Sequence, residues 1–131
     1  AAPVDIKKLP WTQGVMSFPL LLDPRGRIRV KNTDLQAQRT VICTDRQGNI
    51  VVCHTAGDYF TLFGLAKFLK SSSLDIDMAL NLDGGSKAQL LISTPEMNFI
   101  SPSYLEQSGR ELFDREASML PTVIGVFPRQ E

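Results

Sequence analysis

The clearest hydrophobic pattern in the chain is a ten-residue alternation that begins at Leu74 and ends at Asp83. Apolar side chains occupy Leu74 and every second position after it, whereas polar or small side chains occupy Asp75 and every second position after it. Side chains alternate between the two faces of a strand, so this stretch predicts a β-strand with one apolar and one polar face. Asn81 and Asp83 are then expected side by side on the polar face, about 7 Å apart.

The other regular patterns predict one helix and several short strands. Apolar residues recur at helical spacing from Leu62 to Leu69 behind Thr61, a suitable N-cap, so a helix is expected at residues 61–70. Residues 1–14 and 94–120 have no regular period and are predicted to be irregular, with one short helix near Glu111. Short runs bounded by turn residues predict two hairpins and two further strands, at 18–23 with 27–31, 39–44 with 50–54, 88–93 and 122–127.

These segments predict the fold class α+β, with a mainly antiparallel β-sheet and one principal helix packed on it. A length of 131 residues fits a single domain that spans residues 1–131. A chain of this size buries roughly two thirds of the surface of its unfolded state, which is enough for a hydrophobic core.

Charge and hydropathy exclude several classes of partner. The chain has 14 Lys and Arg against 14 Asp and Glu, and this zero net charge argues against nucleic acid and membrane-surface partners, which need a basic excess. No transmembrane segment is expected, because no apolar run approaches the ~20 residues of a membrane span. The first ten residues also lack the hydrophobic region of a signal peptide, and such a start fits either a mature end or an arbitrary boundary.

The two cysteines, Cys43 and Cys53, lie in the second predicted hairpin. A turn with a left-handed Gly48 pairs Cys43 with Val51 and leaves Cys53 diagonal to Cys43. Diagonal neighbours lie about 7–8 Å apart, beyond the usual reach of a disulfide, so free and mostly buried thiols are expected. A slip of one residue in the turn would instead place the cysteines opposite each other. Their spacing does not fit a zinc site.

The alternating strand ends at two glycines, Gly84 and Gly85, followed by Ser86 and Lys87. Adjacent glycines permit positive φ and let a ligand approach the main chain, whose N–H groups can bind an anion. Ser86 adds a hydroxyl group and Lys87 a positive charge, so the turn could hold an oxyanion beside the Asp83 carboxylate. The alternative from local chemistry is a plain hairpin turn, since Asp-Gly is a common turn signal.

Several motifs in order resemble the phosphodiester glycosidase family. The main one is ALNLDGG followed by SKAQL, at residues 79–90. The predicted helix before it also matches, as do three other stretches: WTQGVMSFPLLLDPRGRI at 11–28, RTVICTDRQGNIVV at 39–52 and PTVI at 121–124. Together the resemblance spans roughly residues 11–128, and the ordered set is more specific than any one of its pieces.

The resemblance implies a hydrolase that cleaves the sugar–phosphate bond of a sugar phosphodiester. No metal-binding cluster is evident in the sequence, so neither a metal nor a cofactor is expected. Asp83 is the expected catalytic carboxylate, and Asn81 is expected to position it. The partner is a sugar phosphodiester or a polysaccharide. The residues expected to bind the phosphate are the Arg-Thr pair that opens the second hairpin and the residues of the glycine turn: Arg39, Thr40, Gly84, Gly85, Ser86 and Lys87.

Three further side chains are secondary candidates. His54, the single histidine, fits a structural role better than that of a general acid or base. Asp58 fits a loop carboxylate better than a second catalytic carboxylate. Trp11 suits stacking on a sugar and packing in a core equally well.

Two departures from the family pattern bear on this hypothesis. Ser86-Lys87 stand where many members have a third glycine or proline and then paired serines, which indicates a subgroup with different substrates. The N-terminal half of the family domain, with its Asn-Gly-x-x-Phe element, has no counterpart, so the chain resembles the C-terminal portion. A missing N-terminal half or a second chain is then expected to complete the site.

The alternative function is a non-catalytic module that binds a glycan or a cell-envelope polymer and keeps the fold. Family habit implies export to the periplasm or the extracellular space, with which free thiols fit less well.

Overall fold

The computed structural model describes residues 14–85, 88–101 and 122–128, together with Lys8 and Pro10; for Asp83 it describes the backbone. The described part is mostly strands with a single helix, which confirms the predicted α+β class. The elements in chain order are β1 (Leu20–Leu22), β2 (Arg39–Asp45), β3 (Ile50–His54), α1 (Leu62–Ser71), β4 (Ile76–Gly84), β5 (Leu90–Ser93) and β6 (Asn98–Ser101).

Four strands form the main sheet in the order β1-β4-β2-β3, and each neighbouring pair is antiparallel. β4 is therefore an inner strand that joins the short β1 to the β2–β3 hairpin. β5 and β6 pair with each other in a separate two-stranded sheet. Successive strands β4 and β5 thus belong to different sheets, which bears directly on the glycine turn between them.

The helix packs on the half of the main sheet that β1 and β4 form. Thr61 caps it as predicted, because its hydroxyl oxygen accepts a hydrogen bond from the Gly64 N–H at 3.0 Å. Leu65, Ala66 and Leu69 are buried, and α1 contacts both β1 and β4. No helix in the described part of the chain is long and apolar enough to cross a membrane.

The β2–β3 hairpin has the predicted register, with Cys43 opposite Val51 and Cys53 opposite Val41. Both cysteines are free, as predicted. A hydrogen bond between the two thiols raises the pKa of Cys43, which burial raises further, and the same bond lowers the pKa of Cys53 to about 7. The pair lies at the side of the hydrophobic core, where Cys43 is 1% exposed.

The burial of β4 differs from the pattern expected from its sequence. Asn81 falls on the polar parity, yet it is 5% exposed, and Ala79 on the same parity is fully buried. The register of β4 shifts against β2 near Asp45, so Ile76 and Ala79 both enter the core although they lie three residues apart. A small side chain at Ala79 fits beneath the helix, and the leucine face is only half-buried. The polar parity is therefore the better-buried one.

Three other strand predictions need correction. Residues 122–128 lie in the structure without strand pairing, and Val126 is 86% exposed, so the predicted strand at 122–127 is wrong. An apolar run becomes a strand only where an edge with free hydrogen-bonding groups meets it. The predicted return strand at 27–31 is reduced to a single bridge between Leu22 and Ile28. β6 lies in a segment that was predicted to be irregular.

Candidate functional site

The two glycines at the end of β4 do not form a simple hairpin turn. Gly84 is the last residue of β4 and lies opposite Arg39, the first residue of β2. The Gly85 N–H donates to the main-chain oxygen of Gln38 at 2.8 Å, and φ of Gly85 is +65°, which favours glycine. Because β5 then pairs with β6, the turn carries the chain away from the main sheet. The plain-hairpin alternative therefore does not describe this turn.

Gly84 allows the Arg39 side chain to lie against the main chain of β4. A Cβ atom built on Gly84 would lie 2.9 Å from the Gln38 main-chain oxygen and 3.1 Å from Arg39 Nη1. The first distance is a clash with backbone, which cannot move aside as the end of a flexible side chain can. A glycine at this position thus permits the contact between the β4 terminus and the arginine.

Arg39 is a buried cation with a hydrogen-bond donor that the described residues leave unused. Its side chain is 8% exposed, and its Nη2 donates to the Leu35 main-chain oxygen at 3.3 Å. Its Nε is buried without a hydrogen-bond partner in the described structure. Burial lowers the pKa of Arg39 and the negative charge of Asp58 opposes that shift, but a guanidinium stays protonated. A buried unpaired donor of this kind is rare and calls for an explanation.

Asn81 presents a matching unused acceptor on the same face of the sheet. Its Nδ2 donates to the Leu82 main-chain oxygen at 3.0 Å, whereas its Oδ1 is buried without a partner in the described structure. Asn81 lies opposite Val41, two residues along β2 from Arg39. Strand geometry places the Arg39 and Asn81 Cα atoms about 8 Å apart, given ~3.3 Å per residue and ~4.8 Å between strands.

A bulge in β4 separates these two positions. Between the pairs Val41–Asn81 and Arg39–Gly84, β2 contributes only Thr40, whereas β4 contributes Leu82 and Asp83. The bulge interrupts the regular pairing of β4 with β2 at this point. The Asp83 backbone lies in this bulge; its side chain, like Ser86 and Lys87, is outside the described part of the structure.

Thr40 lies on the opposite face of β2 from Arg39, because successive strand residues point to opposite faces. Its Oγ1 is 3.1 Å from Nδ1 of His54, which is the neighbouring residue on β3. Burial lowers the pKa of His54. The Nε2 atom of the same imidazole contacts Gln38 Nε2 at 3.1 Å and Ser101 Oγ at 2.7 Å. Thr40 is thus engaged in a polar network beneath the sheet.

Gln38 connects this network to Arg39 and the glycine turn. It is 3% exposed, its main-chain oxygen accepts from Gly85, and its N–H donates to the carboxylate of Asp58. Asp58 therefore binds main chain beside Arg39, which fits the loop role expected for it. The sequence does not predict a role for Gln38, since its only signal is its position next to the Arg-Thr pair.

The N-terminus of α1 lies at the same end of the sheet as Arg39. The Ala37 N–H donates to the Phe60 main-chain oxygen at 3.3 Å, so the residue before the Thr61 cap is tied to the chain just before β2. The first turn of α1 contains no acidic residue. The positive end of the helix dipole therefore lies at the same end of the sheet as the Arg39 guanidinium, and each of the two attracts anions.

Several predicted residues are brought together here and others are not described. Arg39, Asn81, Gly84 and Gly85 meet at the junction of β2 and β4. Trp11 lies outside the described residues. Among the described residues, no group of three or more His, Cys, Asp and Glu side chains could hold a metal ion.

Comparison with known protein families identifies a match over nearly the whole chain. The sequence model of a family described as phosphodiester glycosidase matches residues 2–127, nearly the whole chain. No curated protein matches the chain.

Proposed function

The chain belongs to the phosphodiester glycosidase family, and from that premise we propose that it hydrolyses the bond between a sugar and the phosphate of a sugar phosphodiester. Water adds to the anomeric carbon, and the bond from that carbon to the phosphate oxygen breaks. The products are the free sugar and a phosphomonoester.

The observation that carries this proposal is the buried guanidinium of Arg39 against Gly84. Its unused Nε–H donor belongs to a residue that is only 8% exposed, and such a donor suits a ligand with anionic oxygens. A phosphodiester offers two such oxygens. Binding one would satisfy a donor whose unpaired burial otherwise costs about 1–3 kcal/mol.

Asn81 suits the sugar rather than the phosphate. An unused carbonyl acceptor binds hydroxyl groups, and a sugar offers several of them. With the acceptor of Asn81 and the donor of Arg39 on one face, a single sugar phosphate could satisfy both. Binding of a sugar hydroxyl group by Asn81 differs from the role in positioning Asp83 that was first expected for it. The kinetic constants of Asn81 variants distinguish the two roles.

The glycines act through shape in this proposal. The Gly85 N–H already donates to Gln38, so Gly85 holds the turn, and Gly84 admits Arg39. Ser86 and Lys87 follow directly and are proposed to complete phosphate binding. Asp83 is proposed as the carboxylate beside the anomeric carbon, where it stabilises positive charge or activates water. A phosphate leaving group is a weak base, so it needs little help from an acid.

The test is incubation of the chain with an N-acetylglucosamine phosphodiester, with release of sugar and of phosphomonoester measured separately. We expect both products in equal amounts, and loss of both in Asp83→Asn. Asp77→Asn is the matched control, because it removes one carboxylate from the same strand away from the glycine turn.

Failure to release sugar from several sugar phosphodiesters, or full activity of Asp83→Asn, would overturn the hydrolase proposal. Calorimetric binding of sugar phosphates without turnover would instead support the glycan-binding module as the function.

A further inference from the structure

The imidazole of His54 joins three strands through side chains that carry no charge. Thr40 on β2 contacts its Nδ1, while Ser101 on β6 and Gln38, just before β2, contact its Nε2. Gln38 and Ser101 are both at least nine-tenths buried. This group of four residues, the histidine junction, is the main polar contact between the β5–β6 sheet and the main sheet in the described structure.

Hydrogen-bond chemistry selects one protonation state for this junction. With the Gln38 amide placed so that its nitrogen faces Nε2 of His54, that nitrogen can only donate, so Nε2 accepts from it and the proton of the neutral ring is assigned to Nδ1. Nδ1–H then donates to the Thr40 hydroxyl oxygen. Adding a proton to Nε2 would set two donors against each other at the Gln38 contact, whereas Ser101 could still accept.

The same Gln38 residue adjoins, through its main chain, the proposed anion site, which consists of Arg39, Gly84 and Gly85. Its oxygen receives the Gly85 N–H, and the next residue is Arg39. A displacement of Gln38 as a whole would therefore move the main-chain oxygen that binds the Gly85 N–H and the main chain from which Arg39 extends.

We propose that His54 is a positioning residue for the anion site: its neutral ring holds Gln38, and Gln38 holds Gly85 and Arg39 in place. This inference rests on the proposed function only in taking a phosphate group as the ligand of the site. Protonation of His54 releases Gln38 and lowers affinity for phosphate groups. The ring itself is on the far side of β2 from Arg39, so it acts through Gln38 and does not touch the substrate.

In the described structure no charged side chain is hydrogen-bonded or ion-paired to the imidazole of His54. Asp58 binds the Gln38 N–H, Arg39 lies on the other face of β2, and Cys53 precedes His54 on the face of the core. Asp83 lies in the bulge opposite Thr40, so it is included in the test.

The experiment is an NMR titration of the whole chain, in which the single histidine gives an unambiguous signal. We expect an Nδ1–H ring at neutral pH and a midpoint below the ordinary value for histidine, since burial lowers the pKa. The Gly85 amide and Arg39 Nε–H signals should shift with the same midpoint. Affinity for inorganic phosphate should fall about three- to tenfold across it.

Variants connect these shifts to Gln38. Gln38→Met keeps the length of the side chain and removes its hydrogen bond, so it should uncouple Gly85 and Arg39 from the histidine titration and weaken phosphate binding at neutral pH. Gln47→Met, at the exposed turn of the same hairpin, is the control and should change neither. In Asp83→Asn the coupling should persist.

An Nε2–H ring at neutral pH, Gly85 and Arg39 signals that ignore the histidine midpoint, or coupling that survives Gln38→Met would overturn the inference. Loss of coupling in Asp83→Asn would also do so, because Asp83 would then carry it. The NMR signals do not depend on turnover, so a chain that shows the coupling but cleaves no phosphodiester contradicts the proposed function alone.

Discussion

Each end of the β2 strand lies beside a glycine-containing turn, one that follows β2 itself and one that follows β4, and the two ends differ in whether their polar groups are satisfied. At the Asp45 end, one carboxylate accepts from the N–H groups of Gln47 and Asn49 and from the Asn49 side chain. The Gly48 N–H also donates a hydrogen bond to the main-chain oxygen of Asp45 at 3.1 Å. This turn is exposed, and its carboxylate is fully occupied within the chain.

At the Arg39 end, polar groups are buried and incompletely used. Arg39 Nε and Asn81 Oδ1 have no partner in the described structure, although water is excluded from both. Local turn chemistry stabilises the first end, whereas nothing local explains the second. A ligand is therefore expected at the second end, where buried polar atoms of Arg39 and Asn81 are without partners in the described structure.

The largest difference between the two ends is expected for Arg39→Met. We expect kcat/KM for an N-acetylglucosamine phosphodiester to fall about 10²–10³-fold, because a positioned cation is lost. Stability should be nearly unchanged, since methionine fills the space without burying a charge. Activity assays and urea unfolding measure the two effects.

Arg46→Met is the control at the other end, where an exposed ion pair joins Arg46 to Asp75 at 3.1 Å. Such pairs contribute at most about 1 kcal/mol, and activity should not change. Equal loss of activity in both variants would mean that the two ends do not differ in function.

Alanine at each glycine gives the next largest effect. Gly84→Ala places a Cβ atom 2.9 Å from the Gln38 main-chain oxygen, so we expect roughly 1–3 kcal/mol of destabilisation and displacement of Arg39. Gly48→Ala meets open space but must adopt φ of +87°, which costs about 1–2 kcal/mol. Only Gly84→Ala should lose activity per folded molecule, as measured after correction for the folded fraction. Similar specific activities would contradict the role given to Gly84.

Asn81→Leu should affect binding more than stability. Removing an unpaired buried acceptor leaves the free energy of unfolding unchanged or raises it by up to about 1 kcal/mol, while KM rises a few-fold. Asn49→Leu should lower the free energy of unfolding and leave KM unchanged, because the Asn49 side chain donates a hydrogen bond to Asp45 and is far from the site. A fall in kcat at constant KM for Asn81→Leu would support the positioning role instead.

The smallest expected effect is on acid stability. Hydrogen bonds from Asn49, Gln47 and Gly48 lower the pKa of Asp45 from its ordinary 3.8. The folded pKa lies below the unfolded one, so this stabilisation is present above pH ~4 and is lost as pH falls through the folded value. Asp45→Asn should therefore flatten the acid limb of the unfolding curve slightly. An unchanged acid limb would show that these bonds do not bias titration.

Local elements were predictable because their signals are local. The Thr61 cap and the apolar spacing after it predicted α1 to within a residue at each end, and the Gly48 turn predicted the β2–β3 register. Free cysteines followed from that register. A common site for Arg39 and the glycine turn was expected only through family resemblance, and their strand pairing was not predicted, since no local rule joins positions that far apart.

The errors came from segments whose partner strand decides their state. Residues 122–127 have a strand composition but lie without strand pairing, whereas 98–101 form β6 with β5 as a partner. Gln38 was not predicted, because it supports the turn through its main-chain oxygen, and every type of residue has such an oxygen. His54 was noticed only as the single histidine.

The sequence by itself determined the secondary elements with strong periodicity, the class of fold and the family of this chain. The tertiary structure alone decided which parity of β4 is buried, that the glycine turn leaves the sheet, and that Gln38 links His54 to Arg39. Periodicity depends on each residue and its near neighbours, whereas burial and pairing depend on which distant segment packs against them. A shift of one residue in register is enough to change the answer.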